Sequence, residues 1–333
     1  MVKIKRQVYI FNSGRLERFQ NTLRFTTTLG ERKVVPVTQI YQIFVFGELT
    51  VNKRALEFLA KRQVALHFFD YYGNYVGSFW PKKQLNSGWV IIKQCEHYLN
   101  KEKRLLLAKK FVIGAIKNML QNLFYYHRRG ISQIDRTIRK INFLGSTLQR
   151  TREIPELMGL EGKIRKEYYL AFNSIIKNAD FSFKIREKHP PTTPLNALIS
   201  FGNSLLYAVI LKEIYNTHLD PRVAFLHESK YRAFSLHLDV AEIFKPILVD
   251  RLIFKLTNKK IVTIKDFQRE GKAYFLNNNG KRKFVEHFDK KLGTTIKIKR
   301  KKRSYRQIIR IELYKLERHL LGDTLFEPFE IKW

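Results

Sequence analysis

Two hydrophobic periods run along this 333-residue chain, and they change over near residue 84. Up to Pro81 the apolar residues come in short runs cut by Gly, Asn and Pro. Residues 8–11 stop at Asn12-Ser13-Gly14, 16–19 at Gln20-Asn21, 23–27 at Gly30, and Val34-Val35 at Pro36; residues 40–46 make a longer apolar run ending at Gly47. β-rich runs separated by turn chemistry predict a sandwich-like sheet. Asn52 is placed to cap an amphipathic helix with Leu56, Leu59 and Ala60 inward and Lys53, Arg54, Lys61 and Arg62 outward. Residues 65–69 and 75–80, joined through Tyr71-Tyr72-Gly73-Asn74, predict a closing hairpin.

Beyond Gln84 the apolar residues recur every three or four positions, which predicts helices. One long segment covers 97–126 and breaks at Arg129-Gly130. A second opens at Ser132, where Ser-x-x-Asp with Asp135 resembles an N-cap, and carries Ile134, Ile138, Ile141, Leu144 and Leu148. A third, over 154–176, buries Leu157, Leu160, Ile164, Tyr168 and Ala171. After His189-Pro190-Pro191, Pro194-Leu195-Asn196 opens an apolar helix over 197–214. Residues 261–279 predict two short strands leading to a turn at Asn277-Asn278-Asn279-Gly280, and Tyr305, Ile308, Ile309, Leu313 and Leu316 mark a last amphipathic helix. The fold class is therefore α+β: a β-sandwich-like domain over 1–83, then a mainly α-helical domain over 84–333. The helical stripes are core, and no cofactor attaches to them.

Candidate chemistry concentrates between Asp220 and Arg251. His227 precedes a short loop, and Asp239 and Glu242 sit three residues apart on a predicted helix, hence on one face. The rest of that helix is apolar through Leu236, Val240, Ile243, Phe244 and Ile247, so the two carboxylates need a cation partner. Imidazole mixed with carboxylates suits Mn²⁺ or Mg²⁺. The competing expectation is ordinary: the acids pair with Arg or Lys, and the His is structural. Glu161 lies inside Leu157-Met158-Gly159-Leu160-Glu161-Gly162. Each glycine there costs a helix up to about 1 kcal/mol against Ala, which suggests close approach by a backbone or a ligand. The alternative for Glu161 is an i,i+4 pair with Arg165.

Charge narrows the partner. Lys plus Arg number 63 against 29 Asp plus Glu, a net +34 with a pI near 10.2. Such an excess points to a polyanion, and an acidic membrane surface would also attract it. No apolar run approaching the roughly 18 residues of a spanning segment is evident, and the N-terminus lacks a signal peptide's apolar stretch. Cys95 is the only cysteine, which excludes a disulfide framework or thiolate zinc site. The expectation is a soluble cytoplasmic protein, with no membrane partner, that meets nucleic acid. The basic run Lys297, Lys299, Arg300, Lys301, Lys302, Arg303 and Arg306 is expected to face phosphates.

Taken together, several of these stretches resemble one family: the CRISPR-associated adaptation endonuclease/integrase, the first of the Cas proteins. Leu157–Gly162 with Tyr168 is similar to its glutamate helix, and Asn196–Asn203 to its core helix. Asp220-Pro221, Phe225-Leu226-His227, Ser235-Leu236, Asp239, Glu242, Phe244-Lys245-Pro246 and Asp250-Arg251 follow its His-and-acid region in order and spacing. Gly47–Val51 and Val64–Phe69 leading to Gly73 extend the likeness to nearly the whole chain. The sequence departs at Ala224, Lys245 and Lys230-Tyr231, where glycine, arginine and a small-residue turn are usual; none is a ligand position. The resemblance implies an N-terminal dimerisation domain, a homodimer, a second Cas protein as partner, and double-stranded DNA (spacer fragments and the CRISPR repeat) as substrate. It makes Glu161, His227 and Glu242 the metal ligands and Asp239 a neighbouring catalytic acid that assists or binds a second ion. DNA-backbone contacts are expected from Arg165, Lys166, Lys230 and Arg232, and from Lys299, Arg300 and Arg303. The expected activity is metal-dependent cutting of DNA phosphodiesters and strand transfer of spacers into the array. Two rivals remain: a non-catalytic basic nucleic-acid scaffold whose acids are ion pairs, and a metal-dependent RNase.

Overall fold

A computed structural model describes residues 5–82, 85, 87–182, 185–188, 190–229, 234–298 and 300–332. The chain divides into two compact units, 1–84 and 85–333.

The first unit contains β1 (Arg6–Ile10), β2 (Gly14–Phe19), β3 (Thr22–Thr27), β4 (Arg32–Val35), β5 (Ile40–Val45), β6 (Leu49–Val51), α1 (Lys53–Lys61), β7 (Ala65–Phe69) and β8 (Tyr75–Phe79). They form two four-stranded sheets, ordered β1-β5-β7-β8 and β4-β3-β2-β6. Leu16 and Leu23 of one sheet meet Ile10, Ile43, Val45 and Leu66 of the other, with Ala55, Phe58 and Leu59 of α1 completing the core. That is the expected sandwich of two inner faces sharing one apolar layer. Asn52 does cap α1, its side chain accepting from the Ala55 N–H at 2.9 Å. The three-residue β6 escapes a periodicity reading. It is set up by Gly47, where a Cβ would come within 2.7 Å of the Phe11 and Asn12 backbone.

The second unit contains α2 (Gly88–Leu99), α3 (Lys101–His127), α4 (Asp135–Thr147), α5 (Ile154–Leu170), α6 (Phe172–Ile175), α7 (Pro194–Ile214), α8 (Leu236–Phe244), α9 (Arg251–Asn258), β9 (Phe267–Glu270), β10 (Ala273–Leu276), α10 (Asn278–Gly293), β11 (Thr295–Ile298), β12 (Lys301–Ser304) and α11 (Tyr305–Leu320). The expected helix over 97–126 is two: Asn100 is extended, and its side chain accepts from the Lys103 N–H to start α3. Ser132 makes no side-chain cap; a 3₁₀ turn over Ser132–Ile134 precedes α4 instead. The turn expected at 277–280 is the start of α10, because the Asn277 side chain accepts from the Gly280 N–H at 2.9 Å. Asn and Gly serve turns and helix caps alike, so their composition alone does not separate the two. Of the basic run, Lys297 lies on β11 and Lys301, Lys302 and Arg303 on β12, which pair as a hairpin with Ile298 opposite Lys301, whereas Arg306 lies on α11.

α7 corrects the reading of hydrophobic length. It is long and apolar enough by composition to cross a membrane, yet 78% of its most apolar window is buried in the protein, as suits a core helix. It packs on α8 and on the segment Lys245–Asp250 that follows, a π-helical turn. The cause is Pro246, which has no N–H to donate and loosens the ladder so that Arg251 N–H reaches the Pro246 carbonyl. Two buried asparagines one turn apart on α3 secure this region: Asn118 donates to the Ile243 carbonyl at 2.9 Å and Asn122 to the Pro246 carbonyl at 2.6 Å. Gly202 lets α7 approach; a Cβ there would lie 2.6 Å from Val249 Cγ1 and 2.8 Å from Phe284 Cζ.

Gly202→Ala is therefore expected to destabilise the second unit by about 1–3 kcal/mol through overpacking, read as a lower midpoint in urea. An unchanged midpoint would show that the π-helical turn accommodates the methyl.

Candidate active site

Three separate elements bring ionisable groups to one place. α5 presents Glu161 and Arg165 one turn apart, α8 presents Asp239 and Glu242, and the segment before α8 presents His227. Arg165 Nε donates to Glu161 Oε1 at 2.6 Å, and its guanidinium also donates to Glu242 Oε2. Lys245 Nζ holds the other Glu242 oxygen at 2.6 Å. Glu242 is 4% exposed. Burial pushes its carboxyl up, but Arg165, then Lys245 and His227, outweigh that and hold it well below the usual carboxylate range.

Asp239 is wholly buried, and its contacts account for both oxygens. Oδ2 accepts the Phe225 and Leu226 N–H groups at 2.7 and 2.9 Å; Oδ1 accepts the His227 N–H at 3.0 Å and lies 2.7 Å from His227 Nδ1. A carboxylate already accepting three amides requires Nδ1 to be the protonated ring nitrogen, which leaves the Nε2 lone pair available in the neutral imidazole. Asp239 thus works as the support of His227. The role expected for it, assisting chemistry or holding a second ion, has no free oxygen to rest on in this arrangement.

Beside Glu161 a cavity of about 290 Å³ is lined by Gly162, Arg165, Lys166, Tyr169, Arg186 and Lys188 among others. Burial, then Lys245 and Arg186, push the Lys188 ammonium below its ordinary range. Arg186 is anchored by Asn196 Oδ1 at 3.1 Å and Ser200 Oγ at 2.8 Å. Beneath the site, burial raises Asp250 to about 7 against the pull of Arg165, Lys245, the Tyr168 hydroxyl and Arg186.

The fold joins Glu161 and Glu242 through Arg165, so the ion pair that the sequence left as the alternative for Glu161 is present. Among the described residues, no three His, Cys, Asp or Glu side chains are grouped so as to hold an ion. The donor types nonetheless suit a hard or borderline divalent cation: two carboxylates and an imidazole whose second nitrogen is fixed. Arg165 marks where positive charge is stabilised. Among the described residues, nothing beyond the helix's own backbone and the adjoining residues lies within 4 Å of a Cβ at Gly159 or Gly162, so no other described backbone approaches there. Of the expected DNA contacts, Arg165 is in the ion-pair bridge and Lys166 lines the cavity. Lys230, Arg232 and Lys299 lie outside the described residues. Arg300 sits in the β11–β12 turn at φ 69°, and Arg303 on β12. Sequence reasoning missed Arg186 and Lys188, which carry no local signal; Lys245 was legible as an i,i+3 partner of Glu242.

The family model for CRISPR associated protein Cas1 matches residues 8–290. A protein of Thermodesulfovibrio yellowstonii named CRISPR-associated endonuclease Cas1 2 is 47% identical over 332 residues, covering 99% of this chain and all of that one. The solved structure of a Cas1 protein from Thermotoga maritima has a TM-score of 0.86 at 42% identity, covering 97% of this chain and 100% of that chain. A casposase bound to integration product shares the fold, with a TM-score of 0.87 at 22% identity, covering 98% and 94%.

Asp250 sets a pH dependence. With its carboxyl raised from 3.8 to about 7, the folded chain keeps a proton that the unfolded chain has lost, so this group's contribution to stability falls as pH rises through that window. Asp250→Asn removes the penalty. Its stability relative to the parent is expected to grow between pH 5 and pH 8, by about 2–3 kcal/mol. A difference that stays flat across that range would contradict the shift.

Proposed function

The chain belongs to the Cas1 family, and on that premise we propose that it is a metal-dependent DNA endonuclease and integrase of CRISPR adaptation. The observation that carries the reading is that Arg165 joins Glu161 to Glu242 beside a cavity lined with cations, while Asp239, three residues before Glu242 on α8, holds the His227 ring. Double-stranded DNA, as spacer fragments and as the CRISPR repeat, is the substrate. Homodimer formation, assembly with the second Cas protein and a cytoplasmic location belong to the same proposal.

Glu161, Glu242 and His227 Nε2 would hold Mn²⁺ or Mg²⁺. When bound, such an ion supplies charge stabilisation at phosphate oxygens and a more acidic bound water. Asp239 keeps the His227 ring in the tautomer and orientation that this requires. Arg165 has to leave the line between the two carboxylates, and its forked donors then match a phosphate on the cavity side. Lys166, Arg186 and Lys188 seat the neighbouring backbone without reading sequence. Lys245 keeps one Glu242 oxygen neutralised from below. Attack by water on the scissile phosphorus breaks the P–O bond and cuts the strand; attack by the 3′-hydroxyl of a captured fragment makes a new phosphodiester and releases the old 3′-hydroxyl. The same seat serves both.

The rival with an observation behind it is the non-catalytic scaffold, because Arg165 neutralises both glutamates as an ordinary ion pair does. Glu161→Gln, His227→Ala and Glu242→Gln separate the readings. Each is expected to weaken Mn²⁺ binding in calorimetry and to lower cleavage and strand transfer by about 10²-fold or more, while DNA affinity without metal stays within about twofold of the parent. Variants that bind Mn²⁺ as the parent does and lose only stability would make the cluster structural.

A further inference from the structure

A second cavity, of about 530 Å³, opens on the helical unit where the end of α3 meets α9 and the end of α10. It shares no lining residue with the cavity at Glu161. Six cationic side chains line it, Arg129, Arg251, Lys255, Lys259, Lys290 and Lys291, and among the described residues no carboxylate does. Lys290 reaches Glu286 at 2.7 Å, but that pair is exposed on the outer face of α10. Helix C-termini attract cations, which accounts for Arg129, Lys255, Lys259, Lys290 and Lys291 in part. It does not account for Arg251, which lies within the unbroken helical stretch that runs from α8 through the π-helical turn into α9. The guanidinium of Arg251 lies 4.0 Å from the centre of the Tyr125 ring, and Arg129 donates to the Tyr125 hydroxyl at 2.6 Å. Burial, then Arg251 and Lys255, lower the Lys291 ammonium to about 8. Positive charge is thus crowded into a concave, partly dry place, an arrangement whose self-repulsion an incoming anion relieves.

We propose that this cavity is a second nucleic-acid site, seating the phosphodiester groups of a single-stranded DNA segment away from the catalytic cluster. Its concavity and its Tyr125 and Tyr126 walls suit nucleotide units of one strand, whose bases present faces to aromatic rings while the phosphates meet the cations. Arg129, Lys255 and Lys259 are exposed at the mouth and meet the backbone first; Arg251 and Lys291 form the floor. The proposal rests on the DNA-processing reading for its ligand and not for its geometry, and it is tested with the catalytic cluster out of play.

The experiment measures fluorescence anisotropy of a short labelled single strand on the full chain in EDTA, at several salt concentrations. The parent is compared with the triple variant Arg129→Ala, Lys255→Ala, Lys259→Ala. A control triple removes the same charge from exposed positions of the first unit, Lys33→Ala, Arg54→Ala, Lys61→Ala. The cavity triple is expected to bind at least about tenfold more weakly, with a slope of log affinity on log salt smaller by about two, while the control triple stays within about twofold. Equal losses in both triples would reduce the effect to net charge and overturn the proposal, as would an unchanged affinity and slope. Inorganic pyrophosphate that binds the parent and not the cavity triple, with strand binding unaffected, would make this a free-polyphosphate pocket and also overturn it. Should the triple fold poorly, Lys255→Ala and Lys259→Ala singly are each expected to lower the slope by about 0.7. Because no metal is present, loss of strand binding here is independent of whether Glu161, His227 and Glu242 support cleavage.

Discussion

A carboxylate taken almost wholly out of water has to be matched by positive charge, and Glu242 is matched twice, by Arg165 from α5 and by Lys245 one turn along its own chain. The rest of the site depends on that arrangement. Breaking such a buried pair on one side costs about 3–5 kcal/mol, so α5 and α8 are tied in register by the charge as well as by packing. Arg165 carries the tie on to Glu161, and the register sets the distance between the two acids. Lys245 stands just before Pro246, so the residue that neutralises Glu242 also opens the π-helical turn against which α7 packs through Gly202. Such turns recur at functional sites because they re-aim side chains that a regular helix would stack.

Asp239 shows a different use of a buried acid. With three amides and an imidazole around one carboxylate, it fixes the backbone of Phe225–His227 and the ring of His227 together. Its position three residues before Glu242 then has a plain consequence: one face of α8 supplies both the support for the imidazole and the carboxylate beside it.

How much of this was legible follows from which signals are local. The β-runs, the Asn52 cap and the amphipathic helices are written within a few residues, and the fold class follows from them. Asp239 and Glu242 are readable as one face, and His227 as a neighbour in the chain. Glu161 became a candidate through its glycines and its resemblance to a family helix; among the described residues no other backbone approaches those glycines, and Gly162 lines the cavity beside Glu161. Arg186 and Lys188 join the cavity only through tertiary packing, with no sequence period to announce them. The Asn277 cap was misread because turn and cap share residue types, whereas α7 was placed correctly over 197–214 and only the length of its apolar stretch was underrated, because Ser200, Asn203 and Ser204 interrupt it. Net charge was visible at once, whereas its gathering into two separate cavities needed the fold.

The central claim is that Nε2 of His227 joins Glu161 and Glu242 around a divalent cation once Arg165 withdraws. Electron–nuclear double resonance on Mn²⁺ bound to protein labelled with ¹⁵N-histidine tests it directly. The account predicts one nitrogen coupling in the parent that vanishes in His227→Ala and survives in His218→Ala. A bound ion with no histidine coupling, or a coupling that persists without His227, would contradict it.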